Sequence, residues 1–307
     1  MNTRIGAKVI VICGSLILLT FQSEGQSPSV PIYRQDVNSQ ADGDLVRAAN
    51  LFAKSNTLTL ATIREQLHRP SCQLDLPRPN TSKLRPREVW ERARASYLRV
   101  GWFYLCTHCD QWRLNMAGGY LLTRDGAVGT GYHVVEPPRD LREGCLIVAD
   151  DSGKIFPVSE ILAANRDSDA CILRIQGSGF APLPLNTNVW PGDAAFCLSD
   201  PLGRRGYFSE GIVNRFFALP ERRLPYTPGA PMFSPTRINV STDWSFGSSG
   251  APVLDEFGNA IGHVSLLAME GTDLKEAAGE KTADPATIIF HEATSARDIL
   301  WLVKAPK

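Results

Sequence analysis

From Tyr97 onward the apolar residues fall in short runs cut by Gly, Pro, Asp and Asn, at 97–105, 118–123, 145–149, 170–175, 194–198, 210–217, 238–241, 251–255 and 260–267. Runs of this length bounded by turn residues predict strands. So many short strands in succession predict an all-β body, closed into a barrel or folded into a sandwich. The last stretch differs: Ala296, Ile299, Leu300 and Val303 recur at helical spacing, so Ser295–Val303 predicts a C-terminal helix. Ahead of Tyr97, Gly43–Ala53 and Leu58–Leu67 predict two helices, the second capped by Asn56 or Thr57, and Arg87–Arg94 predicts a short third. Residues 69–86 carry Pro70, Pro77, Pro79 and Pro86 and read as a linker or strap. Residues 26–40 are polar and read as a flexible lead-in.

The 307 residues allow one large or two small domains, and 43% hydrophobic content with 8% aromatics can supply a core. Lys+Arg and Asp+Glu balance at 32 each, which points away from nucleic acid and from a polybasic membrane contact. Residues 1–25 read as a leader: Arg4 and Lys8 precede an apolar stretch of 13 residues, Val9 to Phe21, and Ser23-Glu24-Gly25 offers a cleavage point. Thirteen residues are short for a bilayer span, so a signal peptide and export to a periplasmic or extracellular space are expected, with no stable membrane anchor. Behind that point remain Cys72, Cys106, Cys109, Cys145, Cys171 and Cys197, an even number that permits disulfides in an oxidising space. Cys171 and Cys197 stand in apolar runs and also suit the role of buried small hydrophobes.

Candidate chemistry centres on Phe246-Gly247-Ser248-Ser249-Gly250-Ala251-Pro252. Small residues on both sides of a serine allow a tight turn that exposes the hydroxyl and aims backbone N–H groups into one small space. A histidine lies upstream in Thr130-Gly131-Tyr132-His133-Val134-Val135, and an aspartate opens Asp169-Ala170-Cys171-Ile172-Leu173-Arg174-Ile175. Their order is His, Asp, Ser, with gaps of 36 and 80 residues. An α/β-hydrolase elbow would need Gly at 251 and an acid and histidine after the serine. Position 251 is Ala and only 58 residues follow Ser249.

These three segments, together with Gly118–Gly126, Gly192-Asp193, Ser199–Gly203, Ser209–Val213, Ser241-Thr242-Asp243 and Val253–Gly262, resemble the chymotrypsin-like (trypsin-like) serine peptidases. The resemblance is closest to the HtrA/Deg-type protease domain and covers roughly residues 95–303. It implies a chymotrypsin-like double β-barrel in a peptidase domain over 95–307, which the C-terminal helix completes, while the partly helical N-terminal extension over 26–94 matches no motif and reads as an accessory cap or a pro-segment. It also implies a serine endopeptidase acting on protein or peptide substrates without a cofactor or a metal. His133 would be the general base, Asp169 its orienter and Ser249 the nucleophile, with the N–H groups of Gly247, Ser248 and Ser249 around the oxyanion. Asp167 would face the same side as Asp169 in an extended segment; the resemblance selects Asp169. The PDZ domains that many such proteins carry after the peptidase domain are not expected here. The rival expectation is an inactive binding or scaffold protein on the same fold.

Two departures matter. Vertebrate digestive relatives have an aspartate before the nucleophile that pairs with a newly cut N-terminus, and this chain has Ser248. Activity is therefore expected without a cut ahead of Tyr97. Ala251 replaces the usual second glycine, adding a methyl group under the turn. Substrate selection is expected to involve Ser265, on a strand that pairs with substrate backbone, and Asp243, whose spacing from Ser249 fits an Arg/Lys-binding carboxylate under one alignment and not another. The Pro-rich stretch 220–235 reads as a loop over the cleft. Cys106-Thr107-His108-Cys109 admits a redox pair, a zinc site completed by His108 and Cys72, or a disulfide, and the disulfide is the expected form.

Overall fold

The computed structural model describes residues 31–33, 37–54, 57–219, 234–271 and 287–304; the expected leader, most of the lead-in and most of the loop at 220–235 lie outside the described residues. Arg34–Lys307 form one compact unit. In chain order the elements are α1 (Val37–Lys54), α2 (Leu60–Gln66), β1 (Cys72–Gln73), α3 (Pro86–Ser96), β2 (Tyr97–Cys106), β3 (Trp112–Leu121), β4 (Ala127–Thr130), the single turn α4 (Tyr132–Val135), β5 (Leu141–Ala149), β6 (Ile155–Asn165) and β7 (Ala170–Ile175). They continue with β8 (Ala194–Ser199), β9 (Tyr207–Ala218), β10 (Thr236–Val240), β11 (Pro252–Leu254), β12 (Ala260–Gly271), β13 (Thr287–Ser295), α5 (Ala296–Trp301) and β14 (Val303–Lys304). Two closed six-stranded barrels result, β2-β3-β4-β7-β6-β5 and β10-β13-β12-β11-β8-β9. The all-β double barrel expected from the resemblance is the fold.

Period-2 alternation explains how one strand serves two layers. In β7, Cys171, Leu173 and Ile175 fill the first barrel, while Ala170 and Ile172 face the core shared with the second barrel. In β2, Leu98, Val100, Trp102, Tyr104 and Cys106 point into the first barrel, and Phe103 points out. Every residue of β2 is nevertheless buried, because α1 covers its outer face. Phe103 stacks on Trp112 with ring centroids 4.5 Å apart, and Phe52 of α1 closes over both. Arg99, also outward, meets Asp44 of α1 at 2.5 Å.

The segment before β2 is built into the same body. Ile63 and Leu67 of α2 enter the first-barrel core, and Gln66 Oε1 accepts from the Ile161 N–H at 2.8 Å, where β6 departs from regular register. β1 runs parallel to β14. Asn80 exchanges hydrogen bonds with Asn259, and Leu84 N–H donates to Glu256 O. The proline-rich stretch is thus a strap pinned along the second barrel. α3 buries Val89 and Ala93 in the shared core and runs directly into β2.

Several expectations are corrected. α1 begins at Val37, ahead of Gly43, and the cap of α2 is Thr59, whose Oγ1 accepts from Thr62 N–H at 3.1 Å. β4, β6 and β13 form where no strand was expected. Val303 belongs to β14, because α5, capped by Ser295, ends at Trp301. The six described cysteines are free thiols, so the expected disulfides are not formed. Cys145, Cys171 and Cys197 are each buried in apolar surroundings, and burial pushes the Cys145 and Cys197 thiols up to about 12. Among the described residues no helix is long and apolar enough to cross a membrane.

Candidate active site

Asp169 ends the turn between β6 and β7 in the left-handed region, φ +55°, which aspartate tolerates better than bulkier residues. The second barrel holds this turn from behind. His263 Nε2 donates to Asp169 O at 2.9 Å, while Arg237 Nη1 and Thr294 Oγ1 donate to Ser168 O at 2.8 and 2.9 Å. All of these groups are buried. His133 stands on α4, the turn that follows β4. Its Nδ1 lies 2.9 Å from both carboxylate oxygens of Asp169, and its backbone N–H donates to Oδ1 at 3.0 Å. Ser265 Oγ donates to Oδ2 at 2.6 Å. Of the two aspartates weighed, Asp169 is the one that meets the histidine.

This arrangement sets the tautomer. With Nδ1–H directed at the carboxylate, Nε2 is left as the acceptor on a partly exposed ring. Burial alone would raise the Asp169 carboxyl, but the hydrogen bond and charge of His133, with the Ser265 hydroxyl, outweigh it and hold the group below its ordinary value. Burial likewise opposes the imidazolium of His133, and Asp169 overrides it, so the imidazole is raised above its usual 6.5. His263 has no such carboxylate on its ring; burial lowers it to about 4 and keeps it neutral.

Ser249 lies between β10 and β11 on a turn closed by Ser248 N–H donating to Ser245 O at 3.0 Å and Ala251 N–H donating to Ser248 O at 3.0 Å. The turn docks on the one carrying His133. Gly118 N–H donates to Ser249 O at 2.7 Å, and Thr130 Oγ1 donates to Gly118 O at 2.7 Å. Gly250, at φ +77°, fills the junction: a methyl group there would stand 2.3 Å from Thr130 Oγ1 and 3.0 Å from Gly131 N. Gly118 also makes room for the Ala251 methyl, since a Cβ at 118 would lie 2.8 Å from it. The extra methyl is thus accommodated by a glycine on the facing strand.

Of the three N–H groups expected around an oxyanion, that of Ser248 is committed to Ser245 O. Gly247, at φ +93°, and Ser249 are the two whose N–H groups make no backbone hydrogen bond among the described residues. The Ser248 side chain is buried and accepts from Ser245 N–H at 3.4 Å, occupying the place of the aspartate found in digestive relatives. Asp243 is exposed, its carboxylate 3.4 Å from the Tyr207 hydroxyl, so it lacks the burial that makes a carboxylate selective for a cation. His263, Thr294 and Arg237 carry no role legible from sequence. Each acts on a backbone carbonyl from a distant segment, and no local motif marks them.

Residues 117–262 match the family described as trypsin-like peptidase domain. Two relatives from Arabidopsis thaliana align with the chain: Protease Do-like 5, chloroplastic, 27% identical over 153 residues (47% of this chain, 46% of the relative), and Protease Do-like 1, chloroplastic, 25% identical over 150 residues (47% and 31%). The chain spans less than half the length of these curated relatives. A crystal structure of the serine endoprotease from Yersinia pestis is similar at 16% identity and TM-score 0.46, over 71% of this chain and 64% of that one. With two closed barrels and a His–Asp pair at their junction, residues 117–262 carry a trypsin-like peptidase domain, and the chain is similar to the Do-like, HtrA-type proteases.

Proposed function

We propose that this chain is an exported serine endopeptidase that works through His133, Asp169 and Ser249. The observation that carries the reading is the His133–Asp169 pair, bonded at 2.9 Å through Nδ1, on a turn whose Thr130 and Gly131 pack against Gly250 of the turn that bears Ser249. Ser249 Oγ attacks the substrate carbonyl carbon and gives its proton to His133 Nε2. Asp169 keeps its charge and stabilises the imidazolium. The N–H groups of Gly247 and Ser249 donate to the tetrahedral oxyanion. The C–N bond then breaks as the amine takes the proton from Nε2, and water, activated by the same nitrogen, hydrolyses the acyl-enzyme ester.

The substrate is a protein or peptide, held as an extra strand along β12 from Ser265 onward, beyond the backbone bonds of Val264 with Gly250 and Ala251, where no further strand pairs with that edge among the described residues. Export is supported by the basic start and apolar run of residues 1–25. The test is labelling by a fluorophosphonate probe: wild type reacts at Ser249 and Ser249→Ala does not. An unlabelled wild type of native fold would turn the reading toward the binding-protein alternative.

A further inference from the structure

The turn between β2 and β3 carries Cys106-Thr107-His108-Cys109, and the mechanism above uses none of it. Cys72, a nearby ligand candidate by sequence, sits on β1 with its Sγ 3.6 Å from Leu302 O. Asp140 arrives in its stead. One ligand atom each from Cys106, His108 and Asp140 lie within 4.8 Å of one another. The Cys106 Sγ is 3.2 Å from Asp140 Oδ2. Cys109, whose thiol adjoins that of Cys106 but lies outside this mutually close group, is the fourth candidate donor. Ligands held about 2.0–2.3 Å from one tetrahedral ion stand at separations of this order from each other.

We propose that Cys106, His108, Cys109 and Asp140 bind one zinc-type divalent ion that ties the β2–β3 hairpin tip to the loop behind His133. Two sulfurs, one imidazole and one carboxylate form a borderline-soft donor set. Calcium and magnesium, which need six or more oxygens or an octahedral oxygen shell, do not fit it.

Backbone N–H groups of His108 and Cys109 aim at the Cys106 sulfur, the former at 3.4 Å, and the Gln111 N–H aims at that of Cys109. Asp110 takes φ +51°, which turns the chain away directly after the second cysteine. Around the donors, Tyr104 OH donates to Asp140 Oδ2 at 3.4 Å, and Arg113 Nη1 lies 3.8 Å from the same oxygen. Such outer partners orient ligands. The charges also balance: two thiolates and a carboxylate against a dication leave one negative charge, which Arg113 meets. Binding releases the two thiol protons and requires no redox partner.

The consequence is mechanical. Asp140 follows α4 by five residues, and its carbonyl accepts from Thr107 N–H at 2.8 Å. An ion at its carboxylate fixes both ends of the loop that leaves the His133 turn without touching a reacting atom. A Cys106–Cys109 disulfide would consume both sulfurs and exclude the site.

The test uses the full chain, purified without chelator from zinc-supplemented culture. The expected result is one equivalent of zinc by elemental analysis. Exchange for cobalt should give thiolate-to-metal charge-transfer absorption and the visible bands of a tetrahedral ion. Cys109→Ser and the exposed His108→Ala should each weaken cobalt binding about tenfold or more while keeping the wild-type circular dichroism spectrum. If Cys109→Ser fails to fold, His108→Ala alone decides. The proposal is overturned by protein with reduced thiols that takes up neither zinc nor cobalt. It is equally overturned by a native mass two hydrogens short with Cys106 and Cys109 crosslinked, or by full metal retention in the variants.

Discussion

Ser265 Oγ donates to Asp169 Oδ2 at 2.6 Å across 96 residues of chain, so the acid that faces His133 is held from both barrels at once. The contact exists because β12 slips register between Val264 and Leu266, leaving Ser265 without a partner on β13. A bulge re-aims one side chain, and here it aims a hydroxyl at the carboxylate. Ser265→Ala should lower kcat about tenfold, within the roughly 1.5–3 kcal/mol of a charged hydrogen bond, and leave KM unchanged. A rise in KM at constant kcat would show that Ser265 acts on substrate instead.

Asp169→Asn tests the orienter without disturbing the turn, because asparagine also accepts φ near +55°. An amide facing Nδ1 favours the wrong tautomer, so kcat should fall by about four orders of magnitude with the melting temperature little changed. A loss under tenfold would rule out the assigned role.

The raised imidazole of His133 sets a pH dependence with opposite signs for activity and stability. Nε2 must be unprotonated to act, so kcat/KM should fall on the acid side with a midpoint above 6.5. The pair's contribution to stability is complete below the ordinary imidazole value and is lost as pH rises through the raised one. An acid limb at or below 6.5 would contradict the pairing.

Asp44 is buried between Arg99 and Arg205, with Arg47 on its other oxygen. Burial would raise this carboxyl, yet the guanidinium of Arg99 and its neighbours hold it below the ordinary carboxylate range. Asp44→Ala strands two largely buried cations and should cost about 3–5 kcal/mol in denaturant unfolding. In the wild type this contribution is present above the ordinary carboxylate value and lost as pH falls through the lowered one. A cost below 1 kcal/mol would mean that α1 is a loose cover.

The strands that could be read from sequence were those whose own residues carry the pattern. β7, expected at 170–175, forms at Ala170–Ile175 because five of its six residues are apolar and a turn precedes them. β6 escaped notice because Pro157, Ser159 and Glu160 interrupt its apolar residues, and its two register irregularities break the alternation that marks a strand. β4 offers only Ala127–Thr130, too short for periodicity. The cap of α2 lies two residues beyond Thr57 because Thr57 and Thr59 are both competent, and only the turn geometry selects the one whose hydroxyl meets Thr62 N–H.

What the sequence alone determined was local: the turn around Ser249, the turn that presents His133, the strand that opens after Asp169, and their order along the chain. Tertiary structure decided which groups meet them. Ser265 reaches Asp169 through a bulge, Asp140 reaches Cys106 across 34 residues, and Asp44 reaches Arg99 across 55. A hydrogen bond or ion pair demands atoms within about 3 Å. For residues so far apart in the chain, that distance is set by barrel closure and strand register, which no periodicity within a single segment encodes.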